Sequence, residues 1–174
     1  MGLLRHHKDQ EANPNRFIMR ERLIAFGDDF YIENAAGMRA FWVDGKALRV
    51  RETLLFKQLD GREIYKIQER KARLRDTMRI DNADGSHAAT VKKALVSPIR
   101  SRFSISLEGQ EDWHAHGNVL AHEYKIKRDG DVIAEISKKW VRVRDTYAVD
   151  VTPGEDVLLI LAITTALDTI SDPG

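Results

Sequence analysis

The chain has 174 residues, 43% hydrophobic and 32% charged, the composition of one ordinary soluble domain with enough apolar side chains for a core. It contains no cysteine, which excludes disulfides and thiolate metal sites and fits a reducing compartment. The formal net charge of +1 favours no class of partner, so only the distribution of charge can matter.

Residues 1–15 are polar, carry Asn13-Pro14-Asn15 and lack the apolar run of a signal peptide. They are expected to form a flexible leader ahead of a single domain over 16–174. A leading strand is expected over Phe17–Leu23, and from there a short unit repeats. Gly37, Gly61, Gly85 and Gly109 are spaced by 24 residues. The strings Arg49-Val50-Arg51-Glu52-Thr53 and Arg73-Leu74-Arg75-Asp76-Thr77 keep the same interval, and Arg142-Val143-Arg144-Asp145-Thr146 follows 69 residues later. A repeat this short with a glycine in each copy is a recurring β-hairpin.

Each copy starts with an apolar strand: Phe30-Tyr31-Ile32, Leu54-Leu55-Phe56, then Met78-Arg79-Ile80. A polar turn ending in glycine follows, because the reversal needs positive φ, with Asp or Asn before it in several copies. In the return strands Phe41, Tyr65, Ala89 and Ala134 hold one equivalent position, and Val43, Ile67, Val91 and Ile136 the position two later. Alternation of period two sends these to a buried face and Lys66, Thr90 and Glu135 to solvent, with Trp42 an apolar exception. A further turn near Gly130 and a closing strand over Thr146–Val151 complete the count. The expected fold is all-β: about twelve antiparallel strands in a closed barrel, since closure removes the exposed edges.

Thr152-Pro153-Gly154-Glu155 reads as a capping box that opens a helix over about 155–170. From Val157 to Leu167 that helix is apolar nearly all round, so it belongs inside protein or lipid. At ~1.5 Å per residue this stretch rises about 16 Å, half of a bilayer core of ~30 Å. The barrel lumen is its expected housing, and no transmembrane segment is expected.

Several runs together resemble the LURP-one-related family. They are Asp44-Gly45-Lys46-Ala47-Leu48 leading into the first arginine string, Ile67-Gln68-Glu69 leading into the second, and Val91-Lys92-Lys93-Ala94-Leu95. Gly117-Asn118-Val119-Leu120 with His122-Glu123-Tyr124, Ser137-Lys138-Lys139-Trp140, and Gly154-Glu155-Asp156-Val157-Leu158 complete the set, and the resemblance spans about Arg16 to Ile170. It implies a fold like the tubby C-terminal domain and the phospholipid scramblases, a twelve-stranded barrel around a hydrophobic C-terminal helix. Plant members are associated with pathogen defence, tubby domains bind phosphoinositide headgroups, and scramblases act on membranes. This chain departs from the scramblases in having no cysteine and no acidic loop of calcium-ligand spacing.

Equivalent positions of successive hairpins should gather at one barrel end. Arg49, Arg51, Arg73, Arg75, Arg142 and Arg144, extended by Lys92, Lys93, Lys138 and Lys139, are therefore the candidate anion-binding rim. Guanidinium groups suit phosphate through their planar fork of donors. Glu52, Asp76 and Asp145 offer the same arginines structural partners, so the strings also read as folding elements. His114-Ala115-His116 and His122-Glu123 form the one metal-like cluster, but no supporting carboxylate spacing accompanies them, and no metal is assigned. No nucleophile-elbow, phosphate-loop or dinucleotide signature occurs, so neither catalytic residues nor cofactors are assigned.

The sequence thus points to a non-enzymatic cytoplasmic binding module, peripheral at a membrane, for anionic phospholipid headgroups. The alternative is a protein-interaction or stress-response adaptor anchored by Trp42, Trp113 or Trp140. Balanced charge and the lack of a basic aromatic strand face argue against nucleic acid.

Overall fold

The 24-residue repeat becomes one hairpin built three times. In the first copy Gly37 N–H donates to Asn34 O at 2.9 Å and Asn34 N–H to Met38 O at 2.8 Å. Gln58 with Gly61 and Arg62, and Asn82 with Gly85 and Ser86, repeat both bonds. Gly37, Gly61 and Gly85 have φ of 75°, 88° and 86°, the left-handed position after a type I turn in a three-residue hairpin. Each pairing register then slips by one residue, between Ile32 and Glu33, Phe56 and Lys57, and Ile80 and Asp81. These bulges recur at the repeat interval and add the twist that helps a sheet close.

The protein was analysed as a computed structural model, which describes residues 13–20, 29–45, 53–72, 75–94 and 102–171, with the side chains of 71, 72 and 75 outside that description. Its strands are β1 (Arg16–Arg20), β2 (Phe30–Asn34), β3 (Arg39–Asp44), β4 (Thr53–Gln58), β5 (Glu63–Ala72) and β6 (Arg75–Asn82). They continue as β7 (His87–Lys93), β8 (Phe103–Ser106), β9 (Trp113–Asn118), β10 (Glu123–Arg128), β11 (Asp131–Ser137) and β12 (Thr146–Val151). Every strand pairs antiparallel with its sequence neighbours, and β1 pairs with β12 to close the barrel. The expected leading strand ends at Arg20, and its remainder falls outside the described residues.

The central helix, Val157–Ser171, fills the lumen and buries Leu159, Ile160, Leu161, Ile163, Leu167 and Ile170. At ~1.5–3 kcal/mol per large aliphatic, these six contribute a gross burial free energy on the order of 10 kcal/mol. Thr164 and Thr165 are tolerated there because each hydroxyl donates to the carbonyl four residues back, both at 2.9 Å. Around the helix the strands present Ile32, Val43, Phe56, Ile67, Ile80, Val91, Ile105 and Ile126, all fully buried. Among the described residues no helix is long and apolar enough to cross a membrane.

Two details differ from the expectations. The helix is capped by Asp156, whose Oδ1 accepts from Leu159 N–H at 3.0 Å, and not by Thr152. Gly154 sits at φ 90°, which breaks helical geometry one turn too early for the capping box, and Glu155 instead receives a bidentate pair of bonds from Arg128 at 2.8 Å each. Trp113, expected as an exposed anchor, is 2% exposed, because β9 begins at that residue and points it inward.

Candidate functional site

Antiparallel connectivity sorts the links between strands onto two ends. One end holds the tight turns 35–38, 59–62, 83–86, 107–112 and 129–130, with 152–156 leading into the helix. These turns carry eight carboxylates against one arginine, Arg62. Asp60, Asp84 and Asn34 accept local backbone N–H groups there, which is why acids and amides populate the turns. The negative charge is crowded: Glu111 shares a hydrogen bond with Asp129, and this bond with the neighbouring charge raises its pKa.

Among the described residues the opposite end carries the other sign. Its longest described link, residues 138–145, holds Lys138, Lys139, Arg142 and Arg144 against Asp145 alone. Arg142 and Arg144 are exposed, and Arg144 approaches Asp145 at 4.0 Å in full solvent, a contact worth little. The link is anchored rather than loose. Glu123 Oε1 accepts from Lys138 N–H at 3.0 Å, Ser137 Oγ donates to Glu123 Oε2 at 2.8 Å, and Thr146 Oγ1 donates to Val143 O at 2.6 Å.

The remaining rim candidates divide. Arg49, Arg51 and Arg73 lie outside the described residues, as does the side chain of Arg75. Lys92 points outward and is exposed. Lys93 instead lines a cleft of about 420 Å³ at the barrel mouth, with Glu69, Asp76 and the last helical turn, and sits 3.9 Å from Asp76.

A second basic group crosses the outer face, from Lys92 near this end to Lys127, two residues before Asp129 of the acidic turns. Register sets Lys92 beside Ser104, Ser104 beside His114 and His114 beside Lys127, with His116 next to Lys125. The His114 and His116 rings are 6.1 Å apart. The pKa of His116 is lowered, first by partial burial and then by the positive charges of Lys127, His114 and Arg102. Lys127 and Arg102 are the fixed cations near that ring, while Lys125 beside it is paired with Glu135 at 3.5 Å. The sequence showed His114 and His116 on one strand face but not the Arg102 and Lys127 that register brings to them. Among the described residues no three His, Cys, Asp or Glu side chains group as a metal site.

His122, grouped in sequence with the other histidines, goes elsewhere. It occupies a left-handed conformation in the turn between β9 and β10, is buried, and stacks on Tyr147 with ring centroids 4.2 Å apart. Its Nε2 lies 3.2 Å from Asp168 Oδ1, and the Tyr147 hydroxyl donates to Asp168 Oδ2. The Tyr124 phenol nearby has a pKa well above its usual value, through burial and then the Asp168 charge. This polar knot latches the last turn of the helix to the wall. The one acid in the apolar helix was its only sequence signal.

The tryptophans are engaged internally. Trp42 Nε1 donates to Gln58 O at 2.9 Å beneath the Lys57 ammonium, and Trp140 lies under the Arg16 guanidinium, 4.7 Å from its ring centroid.

A closed twelve-stranded antiparallel barrel threaded by one C-terminal helix defines a tubby-like domain. The match of residues 15–168 to the LURP-one-related family shows that the chain belongs to that family. It is similar to the uncharacterized protein YxjI of Bacillus subtilis (strain 168), 24% identical over 152 residues that cover 87% of this chain and 91% of that protein. The X-ray structure of a protein from Arabidopsis thaliana shares the fold, with a TM-score of 0.66 at 14% identity, covering 92% of this chain and 94% of the other.

Proposed function

We propose that the domain is a non-enzymatic module that recognises anionic phospholipid headgroups through the basic end of the barrel and the adjoining face of β7 to β10. The observation that carries this reading is the separation of charge along the barrel: eight turn carboxylates at one end, and Lys138, Lys139, Arg142 and Arg144 with Arg102 at the other. A net charge of +1 hides that asymmetry. An anionic surface attracts the basic end and repels the acidic one, so the field orients the domain before contact. The cytoplasmic leaflet, which carries anionic lipid, suits this pattern, and the cysteine-free chain is compatible with it.

The adaptor alternative is weaker because Trp113 is buried and Trp42 and Trp140 are held by intramolecular contacts. The test is vesicle sedimentation with phosphatidylserine-containing against phosphatidylcholine-only vesicles, using the natural chain and the pair Arg142→Glu with Arg144→Glu. Capture only by the anionic vesicles, lost in the pair, supports the reading. Equal capture by neutral vesicles, or none by either at low salt, overturns it.

A further inference from the structure

The basic end also carries apolar tips, and their placement bears on how a membrane would be met. Leu120 is 62% exposed at the turn between β9 and β10, and Val143 is 65% exposed in the link between β11 and β12. We infer that Leu120 and Val143 form a paired apolar foot that enters the headgroup layer of an anionic bilayer while Arg142 and Arg144 stay at the phosphates. The inference rests on the headgroup reading above and adds to it a mode of docking.

Three observations support it. Leu120 sits in the link 119–122, which contains no Asp, Glu, Lys or Arg, so no charge must be dehydrated beside it. The turn is rigid, with His122 N–H donating to Val119 O at 3.1 Å and Ala121 N–H to Asn118 Oδ1 at 3.1 Å, while Val119 and His122 are buried beneath it. Val143 is flanked on both sides by exposed arginine, an apolar tip between two phosphate-matching cations.

The two tips are also tied to each other. β10 and β11 separate their links around the ring, and Glu123, at the end of one, binds Ser137 Oγ and Lys138 N–H at the start of the other. His122 from the first link stacks on Tyr147, which follows the second. Ordering two loops on contact therefore costs little. Exposed apolar residues at the other end, Met38 and Leu59, stand among the acidic turns, so the same bilayer repels them. Tyr31 is covered by the Arg39 guanidinium at 3.8 Å.

The cysteine-free chain makes the test direct, because one introduced cysteine is a unique label site. An environment-sensitive fluorophore is attached to Leu120→Cys, Val143→Cys and, at the opposite end, Leu59→Cys, and each is mixed with phosphatidylserine vesicles. Blue-shifted, brightened emission at 120 and 143 with none at 59 is the expected result. The pair Leu120→Ser with Val143→Ser should lower vesicle partition about ten-fold, the scale of removing two modest aliphatic contacts. Vesicle capture with the labels at 120 and 143 still in water overturns the foot and leaves headgroup binding intact. No capture of anionic vesicles by any variant removes both readings. Binding of soluble glycerophosphoserine as tightly as vesicles points to a free phosphate ligand and also overturns the foot.

Discussion

Replacing Asp168 by alanine tests the latch between helix and wall. The carboxylate accepts from the Tyr147 hydroxyl and lies 3.2 Å from His122 Nε2, and both partners are buried. A hydrogen bond to a charged acceptor is worth ~1.5–3 kcal/mol net, and each buried donor left unpaired carries its own desolvation cost. Removing the carboxylate also relieves the cost of its own burial, which offsets part of that loss. The balance is a destabilisation of about 3 kcal/mol. For a domain of this size that lowers the melting temperature by ~6–12 °C. The assay is urea unfolding followed by circular dichroism, where the midpoint should fall at constant m-value. Tyr147→Phe should cost less, and the double variant should show coupling of ~1–2 kcal/mol because the two side chains share a bond. Stability of Asp168→Ala within ~0.5 kcal/mol of the natural chain, with no coupling, would refute the argument.

Truncation after Gly154 removes the whole central helix and should abolish cooperative melting, since the buried side chains that line the barrel lose the apolar core the helix supplies; a soluble truncated chain with a sharp transition contradicts this. Gly117→Ala should cost ~3 kcal/mol, because φ there is 131° and a Cβ would lie 2.6 Å from Glu123 O, whereas Gly85→Asn, in an open left-handed turn, should cost under ~1 kcal/mol. Burial, then the charge of Asp156, pushes the Tyr65 phenol up to about 12. The folded state therefore holds that proton more tightly than the unfolded one. Its contribution is complete below pH ~10 and disappears as pH rises toward 12. Ultraviolet titration should show late phenols at Tyr65 and Tyr124, and Tyr65→Phe should remove one of them and flatten this part of the stability profile.

The hairpins were legible because they depend on local chemistry. A glycine at positive φ, preceded in two of the three turns by Asp, and an alternating return strand are written within a few residues of each other, and Gly37, Gly61 and Gly85 behave as their spacing implies. The helix was legible because its apolar surface leaves nowhere else for it to go. What escaped depends on partners distant in sequence. Asp156 displaced the expected cap because Glu155 is committed to Arg128, 27 residues away. Trp113 points inward from the start of β9, a strand whose preceding turn lacks the Asp-Gly or Asn-Gly signal. His122 finds Asp168 only once the helix is threaded. The rim was legible as a motif, yet Thr53, Thr77 and Thr146 within it are buried near strand entries, and Lys93 turns into the mouth toward Asp76. The arginine strings thus combine buried threonines with the exposed side chains of Arg142 and Arg144.

The most direct test of the central claim separates the placement of charge from its amount. Arg142→Gln with Arg144→Gln at the basic end, and Arg39→Gln with Arg62→Gln at the turn end, lower the net charge equally. Capture of each pair on anionic vesicles is measured across a salt titration. A marked loss for the first pair, with the second near the natural chain and the natural chain's capture weakening as salt rises, is the predicted result. Equal loss in both pairs would mean that overall charge alone is sensed and that the two ends of the barrel are functionally alike.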